Sequence, residues 1–250
     1  TINNATPTID LQFFPEGGNS IVGVNSKLAF KAINNNGLEV DVKGKIIDSK
    51  GKNIANFKSL FQGTGFISFK PQPNEKYFAV LEDQTTYPIT KIAKKGYSML
   101  VNNINKKSVK IKIQASKELL TKPFYVIGTI RNNKYYQGKF DFGGKSLVSL
   151  EIPKNKLPSG VLTITVFDYT MKPWAERIVF VNKKESLVIN TKIDKKKFKA
   201  KEPIKIDIKV SDIEGKPIST SLSLSVTDIN KYKKNDNDRN ITSYLLLESD

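Results

Sequence analysis

The segment Asp48-Ser49-Lys50-Gly51-Lys52-Asn53-Ile54 contains the strongest local structural signal in the chain, a tight turn between two runs of strand character. Asp or Asn in the first position of a type I turn accepts hydrogen bonds from its own backbone, and Gly in the fourth supplies a positive φ. Three more segments repeat the pattern: Asn34-Asn35-Asn36-Gly37-Leu38-Glu39-Val40, Asp168-Tyr169-Thr170-Met171-Lys172-Pro173-Trp174 and Asp212-Ile213-Glu214-Gly215-Lys216-Pro217-Ile218. The repetition predicts β-hairpins in successive β-domains.

Apolar and polar residues alternate through most of the chain, as in Ile204-Lys205-Ile206-Asp207-Ile208-Lys209-Val210. Such a period of two is typical of strands with one buried face. Helical signals are confined to a short turn at 116–121 and to the tail 241–247, which follows Asn240 as a start signal. Regularly spaced strands predict an all-β fold of tandem immunoglobulin-like, antiparallel β-sandwiches.

Polar, extended segments divide the chain into three predicted domains. A first sandwich covers residues 1–90 and a second covers 91–184, each of a size that fits about seven strands. The third domain, 185–250, has room for about three strands before the polar stretch 230–240. Because three strands cannot close a sandwich, we expect this domain to be incomplete, or completed by residues outside the chain.

The composition excludes several classes of chemistry. The chain has no Cys and no His, which removes disulfides, thiolate nucleophiles, zinc fingers and imidazole bases. Its net charge of +17 comes almost entirely from Lys, since Arg occurs only at positions 131, 177 and 239. Nucleic-acid readers favour Arg, so we interpret the charge as a solvated lysine surface and expect no nucleic-acid partner. No apolar stretch is long enough to span a membrane, and the N-terminus lacks signal-peptide features, as in a mature or excised fragment.

No metal or cofactor motif is complete. Residues 236–240 (Asp-Asn-Asp-Arg-Asn) resemble the start of a calcium loop, but Ile241 and Leu247 stand where Gly and a bidentate Glu are required. The glycine pairs do not open a helix or end in a P-loop lysine, so we interpret them as turns; they are Gly17-Gly18, Gly63-Thr64-Gly65 and Gly143-Gly144. The sequence therefore predicts no bound metal and no cofactor.

The acidic residues do not form a catalytic pattern. Asp48, Asp168 and Asp212 are predicted turn formers, and Glu176-Arg177 beside an apolar run predicts an ion pair or a strand-edge position. No activating partner for a Ser or Lys nucleophile is evident, so we predict no catalytic residue and no enzyme activity.

Aromatic residues are mostly interpreted as core, because strands favour them. They cluster at Phe13-Phe14, Phe57/Phe61/Phe66/Phe69, Tyr77-Phe78, Phe124-Tyr125 and Tyr135-Tyr136. Trp174 follows Pro173 in a turn, which favours packing at a domain junction over ligand stacking. The ligand-binding residues are left unknown, with Tyr135-Tyr136 as a candidate glycan contact.

A longer pattern is similar to a known family. It runs through Leu157-Pro158-Ser159-Gly160, Phe167-Asp168, Ala175-Glu176-Arg177 and Phe180-Val181, with further similarity at 11–18, 27–32 and 198–228. The chain resembles bacterial proteins with α2-macroglobulin-like (MG) domains. The resemblance implies a string of MG sandwiches in an exported envelope protein, found beside TonB-receptor plug or carboxypeptidase-regulatory-like domains.

The resemblance and the residues together predict a non-enzymatic segment of a Gram-negative periplasmic or outer-membrane protein. It would position other domains of the same larger protein, or bind an envelope protein or peptide, without spanning the membrane itself. One alternative is the frame of a macroglobulin-type protease trap, although the Cys of a thioester is absent. A further alternative is a carbohydrate- or surface-binding module.

Overall fold

Antiparallel strands make up nearly all regular structure in the computed structural model, which describes residues 8–183, 185–195, 197–199, 201–227 and 239–248. The strands are β1 (Ile9–Pro15), β2 (Ser20–Ile21), β3 (Ser26–Asn34), β4 (Lys43–Asp48), β5 (Asn53–Lys58), β6 (Thr64–Phe69), β7 (Tyr77–Leu81), β8 (Thr86–Ile89), β9 (Ile92–Ala93), β10 (Tyr97–Asn102), β11 (Ser108–Ala115), β12 (Phe124–Ile130), β13 (Asn133–Phe140), β14 (Leu147–Pro153), β15 (Gly160–Asp168), β16 (Pro173–Val181), β17 (Val188–Ile193) and β18 (Ile206–Ser211). Short 3-10 turns occupy Lys117–Leu119 and Lys154–Lys156, and helix α1 is Ile241–Ser243, followed by π-type turns at Tyr244–Glu248. The prediction of an all-β fold of antiparallel sandwiches is confirmed.

The first seven long strands form two facing sheets. One sheet has the order β1-β3-β6 and the other has the order β5-β4-β7-β8. Alternation along β3 sends Leu28, Phe30 and Ala32 inward, where each is almost fully buried. The aromatic rings of Phe30 and Phe57 meet edge to face at 5.0 Å, so the two sheets interlock through one core.

The next seven strands repeat this plan. One sheet has the order β10-β11-β14 and the other has the order β13-β12-β15-β16. Counted within each set, both sandwiches pair strands 1-2-5 in one sheet and 4-3-6-7 in the other. The core of the second sandwich is built on Tyr97, Phe124 and Phe142, whose rings lie 5.0 to 6.4 Å apart. The same topology is therefore present twice, with different core residues.

The chain divides into two compact units. The first contains 1–157 and 161–180, and the second contains 158–160 and 181–250. Within the second unit, β17 and β18 form an antiparallel pair with the register Ile189↔Val210, Thr191↔Ile208 and Ile193↔Ile206. The three-domain division with boundaries near 90 and 184 stays a prediction.

All four repeated turns adopt the predicted geometry. The first-position side chain of Asp48 accepts hydrogen bonds from the backbone N–H groups of Lys50 and Lys52, both at 2.9 Å. The fourth position has a positive φ in each copy: Gly37 at 75°, Gly51 at 78°, Met171 at 64° and Gly215 at 85°. Met171 therefore keeps the turn type of the glycine copies, although its side chain disfavours that conformation.

The two predicted helical segments are present and short. Ser116 precedes the 3-10 turn Lys117–Leu119, and Asn240 caps α1 by accepting a 2.9 Å hydrogen bond from the N–H of Ser243. The return bond from the Asn240 N–H to the Ser243 hydroxyl completes a capping box. No helix in the described part of the chain is long and apolar enough to cross a membrane.

Candidate functional site

The junction of the two sandwiches is organised by Glu16, in the turn after β1. Its side chain is only 8% exposed and accepts a 3.0 Å hydrogen bond from the backbone N–H of Val101 in β10. Arg177 from β16 and Lys27 from β3 place cations 3.8 and 4.0 Å from its carboxylate oxygens. One carboxylate therefore joins strands of both sandwiches, and burial strengthens these contacts because solvent screens them less.

Gly17 supplies the turn conformation that this junction needs. Its carbonyl accepts a 3.1 Å hydrogen bond from the Glu176 N–H. Gly17 also has a φ of 88°, as expected for a turn glycine. The sequence predicts that Glu176 and Arg177 form an ion pair or lie at a strand edge. Each contacts the junction separately, Glu176 through Gly17 and Arg177 through Glu16, and their strand β16 is the edge strand of its sheet.

Trp174 packs at the same end of the second sandwich. A Cβ on Gly96 would lie 2.8 Å from the Ile21 side chain and 3.3 Å from the indole ring, so Gly96 lies in contact with both. Ile21 belongs to β2, which pairs in parallel with β9. Both residues of β2, Ser20 and Ile21, are buried. The indole also packs edge to face on Tyr97 at 6.3 Å. The interpretation of Trp174 as a packing residue agrees with these contacts.

Asp168 holds Trp174 in place. Its Oδ2 accepts a 2.8 Å hydrogen bond from the indole N–H, and its Oδ1 accepts from the Thr170 hydroxyl and the Thr170 and Lys172 amides. Burial would raise the pKa of Asp168, but hydrogen bonds from Thr170, Trp174 and the Lys172 amide outweigh it and lower the pKa to about 2. The carboxylate is therefore a fixed, ionised acceptor rather than a proton donor or base.

A groove with a volume of about 920 Å³ opens on the first sandwich. It is lined by Gly44 and by Phe57, Val80 and Leu81, three apolar residues that are almost fully buried. A Cβ on Gly44 would collide with the Val80 carbonyl oxygen and lie 2.9 Å from the Phe57 ring, so this position of β4 requires glycine.

The walls and rim of this groove differ in character. Leu60 is 61% exposed and Phe66 is 50% exposed, and together they form an apolar wall. Lys43, Lys45 and Lys58 line the rim. Hydrogen bonding to Glu82 and the charge of that residue raise the pKa of Lys43, which forms a 2.8 Å ion pair with it.

A second groove of about 760 Å³ shares Leu60 and Phe66 with the first. It continues past Phe14 to Ile178, which are 44% and 58% exposed. The interpretation of the aromatic clusters as core is correct for four buried residues: Phe57, Phe69, Tyr77 and Phe124. It is wrong for four exposed residues: Phe14, Phe61, Phe66 and Tyr135. Sequence contains a signal for Phe66, because alternation with the inward Ile67 places it on the outer face.

The other sequence candidates do not gather at a site. Tyr135 is 40% exposed beside a β-bulge on the edge strand β13, and Tyr136 is half-buried; neither lines the grooves. In the described part of the chain, no three acidic residues lie close enough to hold a metal ion. The calcium-like residues 236–238 lie outside the described residues, and Ile241 begins α1.

Comparisons with known proteins give remote likenesses to solved structures. No protein-family model and no curated protein matches the chain. Among solved structures, the BSP domain of a biofilm-associated protein is 16% identical over 68% of this chain and 29% of that one, with a TM-score of 0.31. A tetra-tandem repeat from the extending region of a large adhesion protein is 10% identical over 86% of this chain and 68% of that one, with a TM-score of 0.34.

A DUF4785 family protein from Legionella pneumophila is 13% identical over 69% of this chain and 57% of that one, with a TM-score of 0.24. The chain thus spans 29% of the length of the biofilm-associated protein and 57% of the Legionella protein. Likenesses this distant do not identify a shared function. The macroglobulin and TonB-receptor resemblance therefore stays a prediction.

Proposed function

We propose that the chain is a non-enzymatic structural segment of an exported bacterial envelope protein, which positions other domains of that protein or binds a protein or peptide. The observation that carries this proposal is the Glu16 junction, where one buried carboxylate connects two sandwiches of the same topology. A segment that sets the spacing and orientation of domains needs such a fixed joint. The macroglobulin resemblance supports a periplasmic or outer-membrane setting in a Gram-negative bacterium.

Spin-label distances across the junction test the positioning role. The chain has no Cys, so Ser68→Cys with Ser149→Cys attaches one label to β6 and one to β14 of the full chain. We expect a single narrow distance distribution, which broadens when Glu16→Ala is added. The pair Ser68→Cys with Thr86→Cys lies within the first sandwich and should not respond to Glu16→Ala. If the Ser68→Cys, Ser149→Cys chain with Glu16 intact gave a broad distance distribution, the positioning role would be contradicted.

We further propose that residues 185–250 contain the beginning of a third sandwich. In the β17–β18 pair, Ile189, Ile193 and Ile208 share one face, and the first two are 54% and 51% exposed. Such a face in a folded sandwich is covered by a second sheet. The turn after β18 also matches the turn after β3: the N–H of Asp212 bonds to the carbonyl of Lys216, as Asn34 does to Leu38.

Dye binding tests this second proposal. We expect the full chain to enhance the fluorescence of an apolar dye such as ANS, and Ile189→Thr with Ile193→Thr to reduce that enhancement. A matched pair on the opposite face, Asn190→Thr with Lys192→Thr, should leave it unchanged. An unresponsive dye signal, together with slow amide exchange in β17 and β18, would show that the segment is already covered and would contradict the proposal.

A further inference from the structure

The two grooves of the first unit adjoin each other. Both are lined by Leu60 and Phe66, and Phe57 of the first groove packs on Phe30 and Phe13 at 5.0 and 6.4 Å. Their volumes are in the range of ligand sites, which is about 300–1,000 Å³. We call this surface the basic trough.

The charge of the basic trough is predominantly positive. Six basic and three acidic side chains line it: Lys27, Lys31, Lys43, Lys45, Lys58, Arg177, Glu16, Glu82 and Glu176. All three carboxylates already have partners, since Glu82 pairs with Lys43, Glu16 with Lys27 and Arg177, and Glu176 accepts from the Thr165 hydroxyl. Lys31, Lys45 and Lys58 form no ion pair within the described residues. Their uncompensated charge selects for an anionic occupant.

The exposed apolar side chains favour an occupant that has apolar groups as well as negative charge. Leu60, Phe66 and Ile178 expose half or more of their surface, so a ligand with apolar groups gains by covering them. Phe66 is also already occupied on one ring face, where the Lys27 ammonium lies 4.1 Å from the centroid. A nucleobase would have to displace this cation to stack there, which disfavours single-stranded nucleic acid. A concave surface likewise disfavours a flat lipid surface.

We infer that the basic trough binds an extended acidic peptide, with Asp or Glu alternating with Leu, Ile or Phe. Side chains of an extended strand point alternately to opposite sides, so one set would fill the wall formed by Leu60 and Phe66 while the other would reach Lys45 and Lys58. This inference rests on the binding half of the proposed function. It is independent of the positioning half, which the spin-label distances test separately.

Fluorescence anisotropy with the full chain tests the inference. The probe is a fluorescein-labelled 12-residue peptide (the length is about that of two strands) that alternates Glu with Leu and Phe. We expect saturable binding that weakens with added salt, and weaker binding of two comparison peptides. One carries Lys in place of Glu, and the other carries Ser in place of Leu and Phe.

Variants locate the binding to the trough. We expect the affinity for the acidic peptide to fall by about tenfold in the double variant Lys45→Glu with Lys58→Glu, and also in Leu60→Ser. Anisotropy measures a difference of this size readily. The matched control is Lys106→Glu with Lys107→Glu, which makes the same charge change in the exposed loop before β11 and should leave the affinity within about twofold. All of these side chains are exposed, so thermal unfolding should report an intact fold.

Four outcomes overturn the inference. They are no saturable binding up to about 1 mM peptide, equal weakening by the trough and control pairs, no effect of Leu60→Ser, or tighter binding of an oligo-dT strand or of anionic phosphatidylglycerol vesicles than of the peptide. Loss of binding confined to the trough variants supports it.

Discussion

The backbone N–H of Val101 donates a 3.0 Å hydrogen bond to Oε1 of Glu16, 85 residues earlier in the chain. The acceptor side chain is 8% exposed, so removing it leaves the part-buried Val101 amide without its partner. Two cations, Lys27 and Arg177, lose their counter-charge in the same step. This contact is therefore the place where a single substitution can uncouple the two sandwiches.

We predict that Glu16→Ala lowers the free energy of unfolding by about 1.5–3 kcal/mol, the range for a hydrogen bond to a charged group. Chemical denaturation of the full chain measures this change. The matched control is Glu82→Ala, which removes an ion pair of an exposed carboxylate and should change stability by less than about 0.5 kcal/mol. Equal effects of the two substitutions would show that the Glu16 contacts do not stabilise the junction.

Acid should destabilise the second sandwich through Asp168. Its pKa is lowered to about 2 from a usual 3.8, so its stabilising contribution is complete above about pH 4 and is lost as the pH falls toward 2. The difference between these two pKa values corresponds to about 2 kcal/mol of folding free energy. We predict that Asp168→Asn removes this contribution at neutral pH and flattens the pH dependence between about 4 and 2.

Urea unfolding at several pH values checks the Asp168 prediction. Asp48→Asn serves as the control, because Asp48 occupies the same place in a turn but has no indole partner. The Asp48→Asn substitution should lower stability at neutral pH by less than Asp168→Asn does. If the free energy of unfolding fell equally with pH in Asp168→Asn and in the unmodified chain, other carboxylates would be the cause of the acid sensitivity.

Local features of the fold were predictable because their causes are local. The four turns need only an acceptor at the first position and a tolerated positive φ at the fourth, and both are visible in seven residues. The alternation around Ile67 and Phe69 likewise determines which side chains face inward. The strand content and the tandem sandwiches follow from such patterns.

The candidate sites could not be predicted, because they depend on contacts between distant segments. The two glycines that follow Glu16 indicate only that it lies in a turn. Its partners lie on β3, β10 and β16. The trough combines Gly44, Leu60 and Phe66 from separate strands and loops, and none of them is unusual in its own sequence context. Assembly of the sheets, rather than any motif, brings them together.

Met171 holds a conformation that its side chain disfavours. At a φ of 64°, a non-glycine residue costs about 1 kcal/mol or more, and the three equivalent positions are glycine. We predict that Met171→Gly raises the free energy of unfolding by about 0.5 kcal/mol, after the greater entropy of glycine in the unfolded chain is subtracted. Thermal or chemical unfolding measures the change.

Two further variants separate backbone strain from side-chain loss at this turn. Met171→Ala removes the 48% exposed side chain but keeps a Cβ, and should not stabilise the chain. Gly51→Ala places a Cβ at a φ of 78° and should destabilise the chain by about 1 kcal/mol. If Met171→Gly and Met171→Ala changed stability equally, strain at this residue would not be the cause.

The hydroxyl of Tyr97 is buried without a hydrogen-bond partner among the described residues, although its ring packs on Phe124, Phe142 and Trp174. Burial, followed by the charge of Asp168, raises the pKa of this phenol to about 12. Removing an unsatisfied buried hydroxyl relieves its desolvation penalty while the ring contacts remain. We predict that Tyr97→Phe leaves stability unchanged or raises it by up to about 1 kcal/mol.

Tyr77→Phe is the matched control for Tyr97→Phe, because Tyr77 is equally buried but its hydroxyl accepts a 2.8 Å hydrogen bond from the Gln72 N–H. This substitution should lower stability by about 1 kcal/mol, since it leaves that amide unpaired. The two variants remove the same atom from the cores of the two sandwiches, and chemical denaturation should give them opposite signs. A loss for Tyr97→Phe as large as that for Tyr77→Phe would mean that the Tyr97 hydroxyl makes a stabilising hydrogen bond in solution.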